Sequence, residues 1–367
     1  MKVEVYSFFA GVGLLDLGFE TEGFKISYVN EINKQYLSAY QYSRKKIFGS
    51  NKVKYGCYDI VNYLDDKFWN KEMPKVDKDS LLGFIGGPPC PDFSIAGKNA
   101  GEEGARGQLT EIYISLIRKR KPDFFLFENV KGLYRTKKHR EYYERLKRKL
   151  RSSGYSLVDS VENAIEYGAP QWRERLFLFG IKTNCLGYIN KFKFGKRKKY
   201  SINQIKSMEW PITNRFCENQ YVPYSNNIIR SISVEYWFKK NDVYNHYNSN
   251  HYFKPKALDK FKRIDEGAIK GKSFKRLHRW RYAPTSAYGN NEVHLHPYKA
   301  RRLSIAEALA IQSAPKNFEI KKECSLSDMF KMVGNAVPFL LSKGIAYDIK
   351  TFLESRKNIY LGGKRNE

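Results

Sequence analysis

The chain has 367 residues, long enough for two or three domains and a sizeable core. Hydrophobic residues make up 42% and aromatics 15%, which argues against general disorder. Lys and Arg number 66 against 38 Asp and Glu, a formal net charge of +28. That excess points to a polyanionic partner, nucleic acid first, because clustered cations are rewarded by phosphate neutralisation. The bland alternative is a basic protein whose charge only keeps it soluble. No apolar run reaches the roughly 18 residues that span a bilayer. Phe8 to Leu15 is apolar enough to imitate a short signal peptide, but Glu4 and Asp16 flank it and no small-residue cleavage site follows. The five cysteines (Cys57, Cys90, Cys185, Cys217, Cys324) are odd in number, scattered and without a CxxC pair. That pattern argues against a zinc knuckle or other metal site and against a disulfide framework, and fits a reducing cytoplasm.

Taken in chain order, Lys2 to Phe9 reads as a buried strand, followed by a glycine loop and an amphipathic stretch closed by Gly23. Phe24 to Asn30 reads as a second strand and Leu81 to Ile85 as a third, ending in Gly86-Gly87-Pro88-Pro89. Glu111 to Lys119 has helical spacing, and Phe124 to Phe127 is a fully apolar strand. Lys138 to Arg151 is a basic helix with Tyr142, Leu146 and Leu150 on one face. Tyr155–Val161 and Leu176–Ile181 read as further strands. Strands alternating with helices predict an α/β fold with a mostly parallel, Rossmann-like sheet.

The rhythm stops after Gly180. Residues 184–300 hold 23 Lys/Arg against 8 Asp/Glu, with Tyr, Phe and Trp threaded between the cations. Order returns at Leu303, with helices expected over Ile305–Gln312 and Pro338–Leu353. The expected organisation is an α/β domain over 1–183, a basic insertion over 184–300 and a return to the first domain over 301–367.

Phe9-Ala10-Gly11-Val12-Gly13 lies between a predicted strand and a predicted helix. Glycines there let backbone approach a ligand, and the helix N-terminus offers free N–H groups. Glu31 ends the next strand, where a carboxylate can accept both ribose hydroxyls of a nucleoside cofactor. The incomplete GxGxxG pattern favours a nucleoside without pyrophosphate, such as S-adenosylmethionine, over NAD. On its own, such a loop is equally well a plain turn.

Three further groups stand at predicted strand ends. Cys90 sits between Pro89 and Pro91, so its backbone is stiff and suits a positioned nucleophile. A lone cysteine is more often buried structure. Glu128-Asn129-Val130 follows the apolar strand; a partly desolvated acid there has a raised pKa and can share a proton, unless it only caps a helix. Gln171-Trp172-Arg173-Glu174-Arg175 precedes the last strand. If that strand runs antiparallel to Tyr155–Val161, its start shares a sheet edge with Cys90 and Glu128. Arg173 and Arg175 then suit a planar heterocycle or a phosphate, the alternative being a surface ion-pair cluster.

With these residues in place, the chain resembles the DNA (cytosine-5) methyltransferases over most of residues 3–181 and 297–345. Phe9-Ala10-Gly11-Val12-Gly13 resembles their cofactor loop, Asn30-Glu31 with Ile32 the ribose-binding segment, and Asp59-Ile60 the adenine-contacting pair. Pro88-Pro89-Cys90 with Phe93-Ser94 resembles the nucleophile loop, and Arg106-Gly107-Gln108-Leu109 the next cofactor-side motif. Glu128-Asn129-Val130, Gln171-x-Arg173-x-Arg175 and Gly334-Asn335-Ala336-Val337-Pro338 match the family's motifs in order. Arg301, Leu303, Ser304, Glu307 and Gln312 resemble the helix that supports target recognition. Four positions depart: Ser7 stands where an acid is usual, Leu14 where a second glycine is usual, Pro91 in place of Gln, and Gly104 in place of Asp.

The resemblance implies methyl transfer from S-adenosylmethionine to carbon 5 of a cytosine flipped out of double-stranded DNA. Cys90 would be the nucleophile, Glu128 the acid, and Arg173 and Arg175 the contacts to ring or phosphate. Phe9, Gly11, Val12, Gly13, Glu31, Ile32, Asp59, Ile60, Pro89, Leu109, Asn335 and Val337 would form the cofactor site. It also implies a restriction–modification role in a prokaryotic cytoplasm, on the nucleoid, with any cognate endonuclease a separate chain; monomeric action is the default expectation. The runner-up is cytosine-5 methylation of transfer RNA, which the long basic insertion disfavours. A binding module without activity and a Rossmann oxidoreductase are weaker readings, opposed by the Cys90, Glu128 and Arg175 set and by the missing third glycine.

Overall fold

The computed structural model describes residues 2–49, 52–89, 107–256, 258–271, 273–286, 288 and 293–356. Cys90, with the rest of 90–106, lies outside them. The first half alternates as expected: β1 (Lys2–Phe8), α1 (Leu14–Thr21), β2 (Lys25–Asn30), α2 (Lys34–Phe48), β3 (Lys54–Gly56), α3 (Asp66–Glu72), β4 (Ser80–Gly86), α4 (Gly107–Arg120), β5 (Phe124–Val130) and α5 (Lys137–Arg151). The strands β6 (Tyr155–Asn163) and β7 (Glu174–Lys182) follow.

These seven strands form one sheet in the order β3-β2-β1-β4-β5-β7-β6. The five strands β3, β2, β1, β4 and β5 run parallel, whereas β7 is antiparallel to both β5 and β6. The sheet is therefore mixed at one edge. Its central strands are near-continuous apolar runs because helices cover both faces. On one face Leu15, Phe19 and Leu37 pack with Leu341, Ile345 and Phe352. On the other Tyr113, Ile117, Tyr142 and Leu146 pack with Phe84 and Phe125.

Beyond the sheet come α6 (Thr183–Leu186), α7 (Ile202–Lys206), α8 (Val234–Lys240), α9 (Leu258–Lys262) and a parallel pair β8 (Phe274–Arg276) and β9 (Val293–Leu295). Then follow α10 (Ile305–Ile311), α11 (Leu326–Asn335) and α12 (Phe339–Ser355). The start of the basic stretch stays on the sheet: the Phe192 ring lies 4.7 Å from Phe179 and 5.5 Å from Phe352. Two cations of the 191–199 cluster are engaged by groups of the chain itself. Lys198 pairs with Glu162 at 2.9 Å and Glu166 at 3.3 Å, and Arg197 covers the Tyr347 ring at 3.8 Å. Further on, Val234, Trp237 and Phe238 pack on Ala306, Ala310 and Ile311 of α10. No helix among the described residues is long and apolar enough to cross a membrane.

The C-terminal helix α12 packs closely on α1. A Cβ added at Gly18 of α1 would lie 2.6 Å from the Lys343 backbone nitrogen, so only glycine lets α1 and α12 approach so closely. Several elements were not foreseen, α2, β3, α3 and α11 among them. The helix α2 shows its core face through Leu37, Ala39 and Tyr40 within a basic, tyrosine-rich sequence, β3 is only three residues long, and α11 follows a run of turns.

Candidate active site

The parallel strands end on a common edge, and the candidate groups gather there. After β1 the chain turns sharply: Phe9, Gly11 and Gly13 have φ values of 55°, 56° and 82°. Glycine adopts that region freely, and Phe9 is held there with its ring edge-on to Tyr113 at 5.8 Å. The turn is pinned from both sides. Ala10 N–H donates to the Asn30 carbonyl at 3.2 Å, and Gly11 N–H donates to Glu31 Oε2 at 2.8 Å. Glu31 Oε1 accepts the Asn33 N–H at 2.9 Å. Burial raises the Glu31 carboxyl above its ordinary pKa, while those two backbone donors pull it down. Each oxygen keeps capacity for one more donor.

Beside Glu31, Ile32 is 61% exposed. Asn30 explains how the next segment is held: its Nδ2 donates to the Tyr58 carbonyl at 3.0 Å, and its Oδ1 accepts from Tyr58 N–H at 3.1 Å and Tyr63 hydroxyl at 2.7 Å. This clamp fixes Asp59, whose Oδ1 caps the short 3-10 turn Ile60–Leu64 through Val61 N–H at 3.0 Å. Asp59 itself is exposed and Ile60 is buried. The edge thus offers a carboxylate, an apolar shelf and a second acid in a row.

The departure at Ser7 has a structural answer. Ser7 donates its hydroxyl to Asp16 Oδ1 at 2.9 Å, and Tyr40 donates to Asp16 Oδ2 at 2.9 Å. The carboxylate under the loop comes from α1 instead of β1. Burial pushes Asp16 up to about 6, against the pull of Arg44. Arg44, wholly buried, pairs with Glu20 at 2.6 Å and donates to the Gly13 carbonyl. Neither Tyr40 nor Arg44 was anticipated, since in sequence they are two more residues of a basic, tyrosine-rich stretch.

The second half of the edge carries the acid and the arginines. The pairing Val130↔Arg175 brings the two strand ends together, because β7 runs antiparallel to both of its neighbours. Arg175 Nε lies 3.1 Å from Glu128 Oε1, both side chains being about one-eighth exposed at 12% and 13%. Burial raises the Glu128 pKa, and Arg175 and then Arg173 oppose the rise. Burial lowers the Arg175 pKa, which Glu128 offsets. Gly87 of the segment leading to Cys90 presses on this pair: a Cβ there would lie 2.5 Å from Glu128 Oε2. Pro88 is buried and Pro89 exposed. The Asn129 side chain accepts from Val130 N–H at 2.8 Å, and its Nδ2 has no partner among the described residues.

Arg173 occupies a different place. It is 1% exposed; its Nη1 donates to the Ser286 carbonyl at 2.9 Å and its Nη2 to the Gly334 carbonyl at 2.7 Å. It ties the start of β7 to the last motif. Gln171 and Gln312 extend the tie, with Gln171 Oε1 accepting from Ser286 N–H at 3.2 Å and Gln312 Nε2 donating to the Val333 carbonyl at 2.6 Å. Arg301 grips Glu307 with two bonds of 2.7 and 2.8 Å, and Glu307 closes a capping box with Ser304 at the start of α10. At the rim, Leu109 is half-buried in the first turn of α4, Asn335 is exposed at the end of α11, and Val337 is buried in the core. Val12 is buried beside α10 and α11.

Comparisons with known proteins cover nearly the whole chain. A family model described as C-5 cytosine-specific DNA methylase matches residues 3–351. Type II methyltransferase M.NmeDI of Neisseria meningitidis serogroup C is 49% identical, over 96% of this chain and 85% of its own. Type II methyltransferase M.FnuDI of Fusobacterium nucleatum is 31% identical, over 97% of each chain. In fold, the chain is similar to the crystal structure of S. pombe Dnmt2 methyltransferase, with a TM-score of 0.58 and 16% identity over 96% of this chain and 99% of that one. A mixed α/β sheet ending on a glycine turn, a buried acid and a Glu–Arg pair, matched along nearly the whole chain, makes this protein a member of the C-5 cytosine-specific DNA methylase family, a DNA methyltransferase of the type II restriction–modification kind.

Proposed function

We propose that the chain transfers a methyl group from S-adenosylmethionine to carbon 5 of one cytosine within a short, specific sequence of double-stranded DNA, through a flipped base and a covalent Cys90 adduct. The observation that carries this reading is the Glu128–Arg175 pair, buried at the edge where Gly87-Pro88-Pro89 leads into Cys90.

The cofactor reading fits the residues present. Gly11 and Gly13 open the turn, Glu31 would accept the ribose hydroxyls, and Ile32, Asp59 and Ile60 would receive the adenine. Phe9, Val12, Pro89, Leu109, Asn335 and Val337 complete the proposed set. When bound, S-adenosylmethionine supplies an electrophilic methyl group.

Cytosine carbon 5 is a weak nucleophile. The Cys90 thiolate adds to carbon 6 across the carbon 5–carbon 6 double bond, and carbon 5 gains enamine character and takes up the methyl group. Loss of the carbon 5 proton, with departure of the thiolate from carbon 6, restores the ring. Addition puts negative charge on the ring. Glu128, its pKa raised by burial, holds a proton toward ring nitrogen 3 and offsets that charge. Arg175 orients Glu128 and faces the ring carbonyl or the adjoining phosphate. Arg173, with its terminal nitrogens on two carbonyls, acts as a strut that keeps Arg175 and the Gly334-Asn335 corner in register. A cytosine inside a duplex is out of reach, so the base must leave the stack. The basic region 184–300, between catalytic segments 1–183 and 301–367, would hold phosphates and read base edges. The chain would act as a cytoplasmic monomer, protecting sites that a separate endonuclease cuts.

Bisulfite sequencing of plasmid DNA from cells expressing the chain tests this, beside a Cys90→Ala control. Protected cytosines at one short repeated sequence, lost in the control, are the expected result. Folded protein that leaves plasmid DNA unprotected but methylates transfer RNA would overturn the duplex reading.

A further inference from the structure

The helix α5 presents a cation track that the chemistry above does not use. Eight of its fifteen residues are Lys or Arg and two are Glu. Its apolar side, Tyr142, Tyr143, Leu146 and Leu150, is buried under the sheet. Its outer side forms an open groove of about 530 Å³ lined by Arg135, Lys137, Arg140, Glu141, Glu144 and Arg148. One of the two acids, Glu144, is neutralised by Lys147 at 2.8 Å. The four lining cations are exposed. Arg140 is aimed rather than loose: its guanidinium lies 5.1 Å over the Tyr134 ring and donates to the Tyr134 carbonyl at 3.2 Å.

The position of the track decides what it meets. Four residues of 3-10 turn, Lys131–Tyr134, separate the end of β5 from Arg135, and Lys131 pairs with Glu174 at 2.8 Å beside Arg175. The first turn of α5 therefore stands on the edge that carries Glu128. Its far end lies at the opposite edge, where Tyr155 donates to the Pro122 carbonyl at 2.7 Å ahead of β5. The cations thus run away from the catalytic edge along the flank of the domain. From Lys137 to Arg148 the helix rises about 16 Å. That is the axial length of about five phosphates on one strand of a duplex. An open row of exposed cations, with no enclosed cage, suits a long polyanion better than a small one.

We propose that the Arg135–Lys137–Arg140–Arg148 track binds the phosphate backbone of duplex DNA to one side of the target cytosine, outside the sequence that is read. Such contacts add affinity without specificity and let the enzyme hold non-target DNA while it searches. The proposal rests on duplex DNA being the substrate. It is independent of the target-reading region.

The test compares two duplexes, one covering only the methylated site and one with about two helical turns added on each flank, across a salt series. Wild type is expected to bind the long duplex at least tenfold more tightly at low salt. The variant Arg135→Gln/Lys137→Gln/Arg140→Gln/Arg148→Gln should lose that advantage and show a salt slope shallower by about 2 to 4 on the long duplex, at about 0.9 per phosphate contact. Its affinity and turnover on the short duplex should match wild type. Replacing the three arginines by lysine should preserve the advantage. If the quadruple variant fails to fold, Lys137→Gln/Arg148→Gln carries the same comparison with about half the change in slope. An unchanged long-duplex advantage and slope, or an equal loss on both duplexes, would overturn the proposal. Wild type binding neither duplex would instead remove the duplex substrate on which it rests.

Discussion

Glu128 and Arg175 lie 3.1 Å apart with little access to water, and each shifts the other's protonation. Burial makes the Glu128 carboxyl easier to protonate, and the guanidinium beside it opposes that rise. Glu128→Gln keeps a hydrogen-bond donor but removes the transferable proton. The single-turnover methylation rate should fall by about a hundredfold or more, within the range for a positioned acid. A rate equal to wild type would remove Glu128 from the chemistry. Gly87 offers a second probe, because its missing Cβ makes room for Glu128 Oε2. Gly87→Ala should push the carboxylate aside and lower kcat at least tenfold while leaving affinity for S-adenosylmethionine unchanged. Isothermal titration beside single-turnover kinetics would separate the two effects. The candidates Phe9, Glu31 and Glu128 stood out because each lies at the end of an apolar strand, whereas Asp59, Leu109, Asn335 and Val337 rested on the family resemblance alone. Two roles were not legible. Arg173 and Arg175 look equivalent two residues apart, and only the β7 register puts one on the edge and the other under Ser286 and Gly334. Asp16 could not be paired with Ser7 from sequence, because the pairing depends on the turn at Gly11 and Gly13 bringing α1 back over β1.

At the scale of elements, β1, β2, β4 and β5 announced themselves as apolar runs, while the three-residue β3 and the mixed edge did not. The direction of β7 follows from its short connection to β6 through Ala164–Tyr167, which closes an antiparallel pair. Helices whose core face is aliphatic were visible, whereas α2, which buries Tyr40 and Arg44, was hidden by its polar composition. Region 184–300 is held by irregular structure, and its order depends on buried polar groups. His278, His294 and His296 surround β8 and β9, and burial brings them down to about 4, 3 and 3. For His296 the nearby Glu307 opposes that fall and Arg301 adds to it. These rings stay neutral in the folded chain, while unfolded histidines titrate near 6.5. Between those values the unfolded state binds more protons, so their contribution to stability is present above about 6.5 and is lost as pH falls toward 3. Chemical denaturation at pH 7.5 and 5 should show wild type losing stability. His294→Gln should flatten that loss, and an identical slope in the variant would contradict the assignment.

Across the whole molecule, charge and architecture divide the work. The sheet edge carries the candidate groups, α10 to α12 lock onto α1 and the glycine turn, and cations are distributed over α5 and region 184–300. The excess of +28 is therefore only partly a reading surface. Lys198 and Arg197, though exposed, are engaged by Glu162 and the Tyr347 ring of the same chain, while the lining cations of the α5 track face an open groove. Composition announced a polyanion partner but could not say which cations face it, because ion pairing such as Lys198 with Glu162 is a property of the folded chain. The covalent step is the central claim, and a duplex carrying 5-fluorocytosine at the target position tests it most directly. Fluorine at carbon 5 blocks the final proton loss, so an adduct formed through Cys90 is trapped. With S-adenosylmethionine present, wild type should give a protein–DNA complex that survives denaturing electrophoresis, and Cys90→Ala should give none. A wild-type protein that methylates ordinary DNA yet forms no such complex, or a Cys90→Ala variant that still forms one, would contradict the account.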